Sequence, residues 1–164
     1  MASKIINGDL SFFDDEPLWK NFRQKVNVQL LVESVKDENT EGDEDKGSQD
    51  SISSITLDLS VLHILVVLND EEIMTAIVEK NIIRKHWLDP IQLIKPNKIK
   101  IAQENQWIEK ANCFHLAAKF NPTGLHLMLS QLKTDQDVFQ KLYENGQCSP
   151  LHVAALNSDS LSLR

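Results

Sequence analysis

The sequence predicts an all-α fold in which short helix-turn-helix units stack side by side, a solenoid, behind an N-terminal capping helix. Two observations lead to this prediction. A seven-residue motif with a His at its fourth position occurs three times, around His63, His115 and His152. Apolar residues at helical spacing follow the first two copies, and a similar stripe lies near the N-terminus. Recurrence of one short pattern is typical of a stacked array.

The clearest copy of the motif runs from Ser149 to Ala155, directly after Asn145-Gly146-Gln147-Cys148. A Ser at the cap of a helix accepts a hydrogen bond from an unpaired backbone N–H, and a Pro at the first helical position has no N–H to leave unpaired. Ser149 and Pro150 therefore predict the start of a helix. The diverged copies, 112–118 and 60–66, predict two more such starts.

Ser149-Pro150-Leu151-His152-Val153-Ala154-Ala155 resembles the Thr-Pro-Leu-His-x-Ala-Ala signature of the ankyrin repeat family, which opens the first of two antiparallel helices in units of about 33 residues. The resemblance implies that the histidines bridge backbone groups of neighbouring units. It also places the turns between helices at Asn69, Asn121 and Ser158. The structural repeat motif would then comprise His63, His115, Ser149, Pro150 and His152.

The spacing of the motifs departs from one regular unit. His115 and His152 are 37 residues apart, and His63 and His115 are 52 apart. These distances predict an array over 55–164, with units at about 55–80, 111–146 and 147–164 and an insertion at 81–110. The last unit stops inside its second helix, so we expect a piece of a longer array, a second chain that covers this end, or a terminal arrangement that replaces the last helix.

The N-terminal region, 1–35, is interpreted as the capping helix. Leu18, Phe22, Val26 and Leu30 recur every four residues from 14 to 35, and Pro17 lies near the start. Stacked arrays need such a cover for their terminal apolar face. The alternative is an amphipathic helix that binds a partner or a membrane, although its polar face lacks the excess of Lys and Arg that membranes favour.

Residues 36–54 are interpreted as an acidic, disordered linker. From 36 to 51 there is no large apolar side chain, and seven acids face two lysines. The segment is either a solvated tether or a site of phosphoregulation, because Ser48, Ser51, Ser53 and Ser54 lie beside those acids.

The insertion at 81–110 has the opposite charge, since Lys and Arg outnumber its acids. Pro90 and Pro96 argue against one continuous helix, and Ile99-Lys100-Ile101 alternates like a short strand. Two interpretations remain open. The insertion packs on the array through its isoleucines and its tryptophans, Trp87 and Trp107, or it presents those tryptophans to an acidic partner or to the acidic linker.

Composition narrows the remaining classes. The formal net charge of −7 argues against nonspecific binding of nucleic acid, which needs a positive footprint. No segment has the length and apolarity of a membrane span or a secretory signal, and the two cysteines have no zinc spacing. We therefore expect both cysteines to be reduced. We also expect the protein in the cytoplasm, with the nucleus as the alternative location.

No pattern points to catalysis, a metal or a cofactor. With five glycines the chain has no phosphate-binding loop or dinucleotide fingerprint, and it lacks His-Glu-x-x-His. The sequence thus favours a non-catalytic scaffold for binding another protein, without metal or cofactor. The predicted contact residues are Phe120, Lys119, Leu156, Asn157, Glu144, Asn145, Trp87 and Trp107.

An alternative function is that of an inhibitor that sequesters a transcription factor. An acidic N-terminal segment followed by repeats is similar to the inhibitors of Rel transcription factors. That interpretation implies a basic partner for the acidic linker. The shortness of the array argues against it.

Overall fold

A computed structural model describes residues 11–34, 50–80, 84–96, 99–132, 140, 142 and 149–156 of the 164-residue chain. It has a mixed α/β fold with a curled antiparallel sheet of four strands, so the predicted all-α solenoid is wrong. The helices are α1 (Glu16–Lys20), α2 (Val61–Val67), α3 (Glu71–Glu79), α4 (Cys113–Phe120), α5 (Pro122–Gln131) and α6 (Pro150–Leu156). The strands are β1 (Arg23–Ser34), β2 (Asp50–Ser60), β3 (Gln92–Ile94) and β4 (Ile99–Ile101), and 3-10 helices cover Ser11–Asp14 and Gln103–Lys110.

A long antiparallel hairpin replaces the predicted N-terminal capping helix. β1 pairs with β2 in register from Arg23↔Ser60 to Glu33↔Asp50. A spacing of four is also a multiple of two, so Val26 and Leu30 fit a strand face as well as a helix stripe. Val28 and Val32 complete that alternation, and β-branched residues favour strands. The capping helix is reduced to α1, which has five residues.

The start of β2 lies within the segment that was interpreted as linker. Residues 50–54 pair with β1, so this part is strand and not tether. Ser51 and Ser54 are exposed, and Ser53 is half-buried. Residues 36–49, with most of the acids and Ser48, lie outside the described residues.

The insertion contributes both remaining strands of the sheet. β3 pairs with β2 and β4 pairs with β1, which gives the strand order β3-β2-β1-β4. The strand predicted at Ile99-Lys100-Ile101 is confirmed. Ile101 is fully buried, and Ala102 N–H donates to the Leu31 carbonyl 3.1 Å away. The insertion therefore flanks the hairpin on both sides.

The helices form two rows behind the sheet. In the first row α2 packs on β2, α4 on α2, and α6 on α4; in the second row α5 packs on α3. Leu65 and Val66 of α2 and Ala117 and Ala118 of α4 are buried between these elements. The apolar core runs from the inner face of β2 through the first row of helices.

Two tryptophans of the insertion belong to this core. Trp87 is 1% exposed, and its ring meets that of Phe114 edge-on with 5.8 Å between centroids. Trp107 is also buried. The structure thus places both rings inside the molecule, as in the first of the two interpretations of the insertion, and away from the surface that the second requires.

The N-terminal residues pack against the insertion and α3. Phe13 and Trp19 are buried, and the Trp19 ring lies edge-on to His86 at 5.1 Å. Lys80 Nζ of the segment after α3 lies 2.8 Å from Asp14 Oδ1. The N-terminal residues 11–20 therefore cover part of the core, where the sequence predicted a cover by one long helix.

Within the described parts of the chain, we find no helix with both the length and the apolarity needed to cross a membrane.

We expect Trp87→Ala to lower the free energy of unfolding by about 3 to 5 kcal/mol, because it removes a buried aromatic side chain from a packed core. The measurement is urea denaturation followed by circular dichroism. The matched control is Ile94→Ala, at an exposed position of the same insertion, which should change stability by less than about 0.5 kcal/mol. Equal, small effects of both changes would contradict a core role for Trp87.

Candidate partner-binding surface

The three motifs each begin a helix of the first row with the same cap. The backbone N–H groups of Ser60, Asn112 and Ser149 donate to the Nδ1 atoms of His63, His115 and His152, at 3.1, 3.4 and 3.1 Å. In return the side-chain oxygen of each first residue accepts from the backbone N–H of its His at 3.4 Å. These reciprocal bonds satisfy donors that a helix start leaves unpaired. The predicted helix start at Ser149-Pro150 is confirmed, because Pro150 is the first residue of α6.

His63 joins its own helix to the insertion. Because Nδ1 accepts from Ser60 N–H, the neutral ring carries its proton on Nε2, which donates to the Asp89 carbonyl 2.9 Å away. The ring of His63 thus joins two backbone groups, but the second lies in the insertion and not in a neighbouring unit as the resemblance implied. Burial of the ring lowers the pKa of His63 to about 4, although the bond to the Asp89 carbonyl acts in the opposite direction.

The loop that contains Asp89 also holds the start of α4. Cys113 N–H donates to the Trp87 carbonyl at 3.2 Å, and Ile91 N–H donates to the Ala111 carbonyl at 2.8 Å. The starts of α2 and α4 therefore lie side by side on residues 87–89. This arrangement fixes the two helices at one end.

Asn121 fixes the same two helices at their other end. Its Nδ2 donates to the Val66 carbonyl of α2 at 3.0 Å, and its Oδ1 accepts from Gly124 N–H at 2.7 Å as the cap of α5. A Cβ at position 124 would lie 2.6 Å from that Nδ2, so glycine leaves the space the cap needs. Because both pairs of ends meet, α2 and α4 run in the same direction.

The turns between paired helices use two different conformations. Asn69 has φ 54°, a left-handed conformation that Asn adopts more readily than most residues. Asn121 has φ −144° and ψ 74°, so it makes its turn as a cap residue with a negative φ. The third predicted turn, at Ser158, lies outside the described residues.

Large apolar side chains are exposed where the first-row helices end. They stand four or five residues after the capping His of each helix, which gives Val67 and Leu68, Phe120, and Leu156. Leu68 is 54% exposed and Phe120 is 48% exposed. We call these four residues the apolar row. A row of this kind on neighbouring helices is typical of an interaction surface.

Acidic side chains lie beside the α2 end of the apolar row. Asp70, Glu71 and Glu72 directly follow the turn at Asn69, and all three are exposed. Asp70 Oδ1 caps α3 by accepting from Ile73 N–H at 3.0 Å. The charge bordering the α2 end is therefore negative, a feature that the sequence reasoning did not single out.

The other predicted contact residues lie in different surroundings. Lys119 is half-buried, and Phe120 and Leu156 are exposed as the prediction requires. Trp87 and Trp107 are buried and do not contribute to this surface. Asn157, Glu144 and Asn145 lie outside the described residues. Sequence reasoning also missed the bond from Asn121 to Val66, because its partner is 55 residues away.

A second polar cluster joins α1 to the insertion. The buried His86 ring contacts Asp89 Oδ2 through Nδ1 at 2.8 Å and Glu16 Oε1 through Nε2 at 3.4 Å. Lys85 Nζ lies 3.1 Å from the same Glu16 oxygen, and this contact is the main reason that the pKa of Glu16 lies below its usual value. The cluster holds the N-terminal segment in place.

The described residues contain no group of three or more His, Cys, Asp and Glu side chains that could bind a metal ion. Burial raises the pKa of the Cys113 thiol, which keeps it protonated and unreactive. The ring of His63 uses both nitrogens in backbone hydrogen bonds. These groups serve the fold, and the apolar row is the best candidate for a functional surface.

Stability should depend on pH through His63. The pKa of this His is about 4 in the folded chain and has a reference value of 6.5, so between these values the unfolded chain binds a proton that the folded chain does not. Stability is full above pH 6.5 and is lost as the pH falls toward 4, by roughly 3 kcal/mol. Urea denaturation at a series of pH values measures this loss.

The control for this prediction is the exposed His126. We expect His63→Gln to remove most of this pH-dependent loss and His126→Gln to retain it. A His63→Gln chain that loses as much stability as the wild type between pH 6.5 and 4 would show that His63 is not the responsible group.

The Asn121 bond can be tested with a substitution of the same shape. Asn121→Asp keeps the acceptor for Gly124 N–H but replaces the donor to Val66 with an oxygen, so we expect it to destabilise the fold by about 1 to 3 kcal/mol. Thermal unfolding checks this value. Asp70→Asn changes the equivalent, exposed cap of α3 and should be close to neutral; a similar loss from both changes would contradict a special role for Asn121.

Comparison of the chain with models of known protein families, with curated proteins and with solved structures found no match. The resemblance to the ankyrin repeat family is therefore wrong as an assignment: no family model supports it, and the curled antiparallel sheet is incompatible with an all-helical repeat stack. The three capped helices remain as a property of this chain. Its function has to be argued from its own surface.

Proposed function

We propose that this chain is a non-catalytic module that binds another protein through the apolar row. The observation that supports the proposal is the exposure of Leu68 and Phe120 at corresponding ends of two neighbouring helices. Exposed aromatic and aliphatic side chains that lie together act as anchors for a partner, because their burial on binding releases water from apolar surface.

The row also has a rigid support. α2 and α4 are fixed at their starts by residues 87–89 and at their ends by Asn121. A partner therefore meets side chains whose backbone needs little further ordering. Less entropy is lost on binding to such a surface than on binding to a loose loop.

The charge beside the row favours one kind of partner. Asp70, Glu71 and Glu72 are exposed next to Leu68, and the whole chain carries a formal charge of −7. The complementary partner is a protein segment with a large apolar side chain flanked by Lys or Arg, because these carboxylates attract such charges and steer association. A basic transcription factor is one member of this class. We propose the cytoplasm or the nucleus as the location of the module.

Phe120→Ala should weaken binding of a basic, apolar peptide by about tenfold or more, because truncating an interface anchor costs more than about 1 kcal/mol. We would first select ligands for the whole chain from a library of displayed natural protein segments. Affinities of the selected peptides for each variant would then be measured by fluorescence anisotropy.

The matched control is Ile94→Ala, since Ile94 is 49% exposed, almost the same fraction as Phe120, but lies on the sheet. We expect this variant to bind like the wild type. In the double variant Glu71→Lys, Glu72→Lys, binding of the selected peptides should be weaker than in the wild type, and the difference should be largest at low salt. The proposed surface would be rejected if no basic, apolar peptide were selected. It would also be rejected if the Phe120→Ala variant and the wild type bound the selected peptides equally well.

A further inference from the structure

We propose that two copies of this chain associate through the outer face of α6, which consists of Leu151, His152 and Ala155. We call this the α6 face. It is distinct from Phe120 and Leu68, so the proposal does not depend on the function of the apolar row.

The first observation is a difference in burial at equivalent positions of the three capped helices. The residue before the capping His is Leu62 in α2, Phe114 in α4 and Leu151 in α6, and it is 3%, 0% and 51% exposed. Three residues after the His, Val66 and Ala118 are buried and Ala155 is exposed. The same positions that form the core in two helices form a surface in the third.

The three capped helices also differ in what packs on them, and the Phe114 ring of α4 meets the Trp87 ring of the insertion. α4 packs on α2, and α6 packs on α4. Among the described residues no helix packs on the far side of α6. The α6 face therefore continues a helix-on-helix interface that is already present twice in the molecule, and another helix is the element that fits it.

His152 supports the same conclusion. Its cap is formed like that of His63, with Nδ1 accepting from Ser149 N–H at 3.1 Å. At the equivalent cap, Nε2 of His63 donates to the Asp89 carbonyl of the insertion. His152 is exposed, and in the described part of the chain its Nε2 has no such acceptor. The donor remains available to a group that docks beside α6.

A second copy is the occupant that meets these requirements. The helix row is covered at its other end by the sheet, because α2 packs on β2. In the described part of the chain the α6 end of the row has no neighbour packed on it, and two copies that share this face would meet by the same surface, as in a two-fold dimer. α6, from Pro150 to Leu156, contains no Asp, Glu, Lys or Arg, so two copies of the face meet without burying an unpaired charge.

The test is sedimentation velocity of the whole chain over a series of concentrations from micromolar to millimolar. We expect a monomer–dimer equilibrium. Leu151→Glu should raise the dissociation constant at least about tenfold, because each copy would bury an uncompensated carboxylate. Ile52→Glu, at an exposed apolar position of β2, should leave the constant unchanged. Circular dichroism would confirm that both variants are folded.

A cross-linking experiment locates the contact. Ala155→Cys should form a covalent dimer under mild oxidation, whereas Thr75→Cys, at an exposed position of α3, should not exceed the wild type. A chain that stays monomeric throughout, or a dimer that survives Leu151→Glu and is not trapped by Ala155→Cys, would overturn the proposal. Since no partner peptide is present, these results are independent of the test of Phe120.

Discussion

One buried imidazole joins the parts of this fold that are far apart in sequence. Ser60, at the end of the long hairpin, donates to Nδ1 of His63, and Nε2 donates to the carbonyl of Asp89 in the insertion. The ring can make both bonds only in its neutral form, because Nδ1 must lack a proton to accept the hydrogen bond from Ser60 N–H. The proton on Nε2 is then donated in the hydrogen bond to the Asp89 carbonyl. The end of the hairpin, α2 and the loop that starts α4 are therefore joined by a single side chain, and protonation of its ring would break one of these bonds.

Local sequence patterns predicted the helix starts but not the sheet. The reason is that the caps depend on residues close together in sequence, whereas the sheet depends on residues far apart. The caps at Ser149 and Asn112 involve residues at most three apart, and the short strand at 99–101 shows its own alternation. In contrast, Val26 and Leu30 have a spacing that fits both helix and strand. What decides for strand is pairing with Leu57 and Ser53, which lie across a 15-residue segment. Tertiary pairing overrode the local pattern there.

The candidate surface was predictable to a similar extent. Phe120 and Leu156 stand five and four residues after their capping histidines, so a helical interpretation of the motif was enough to propose them as contact residues at the helix ends. Trp87 and Trp107 were ambiguous, because an aromatic ring suits both an interface and a core. Their burial depends on how the insertion wraps the hairpin, through β3 on one edge and β4 on the other. No periodicity within the insertion itself carries that information.

The unequal support of the three first-row helices has a consequence for binding. α2 is held between the sheet and α4, and α4 between α2 and α6, whereas α6 has a described neighbour on one side only. A side chain contributes most to the free energy of binding when its backbone is already held in place, because less ordering is then needed on binding. Leu68 and Phe120 stand on the supported helices, and Leu156 stands on the one that lacks a second neighbour. Pairing of two copies through the α6 face would supply that neighbour, which would extend the rigid part of the apolar row from two helices to three.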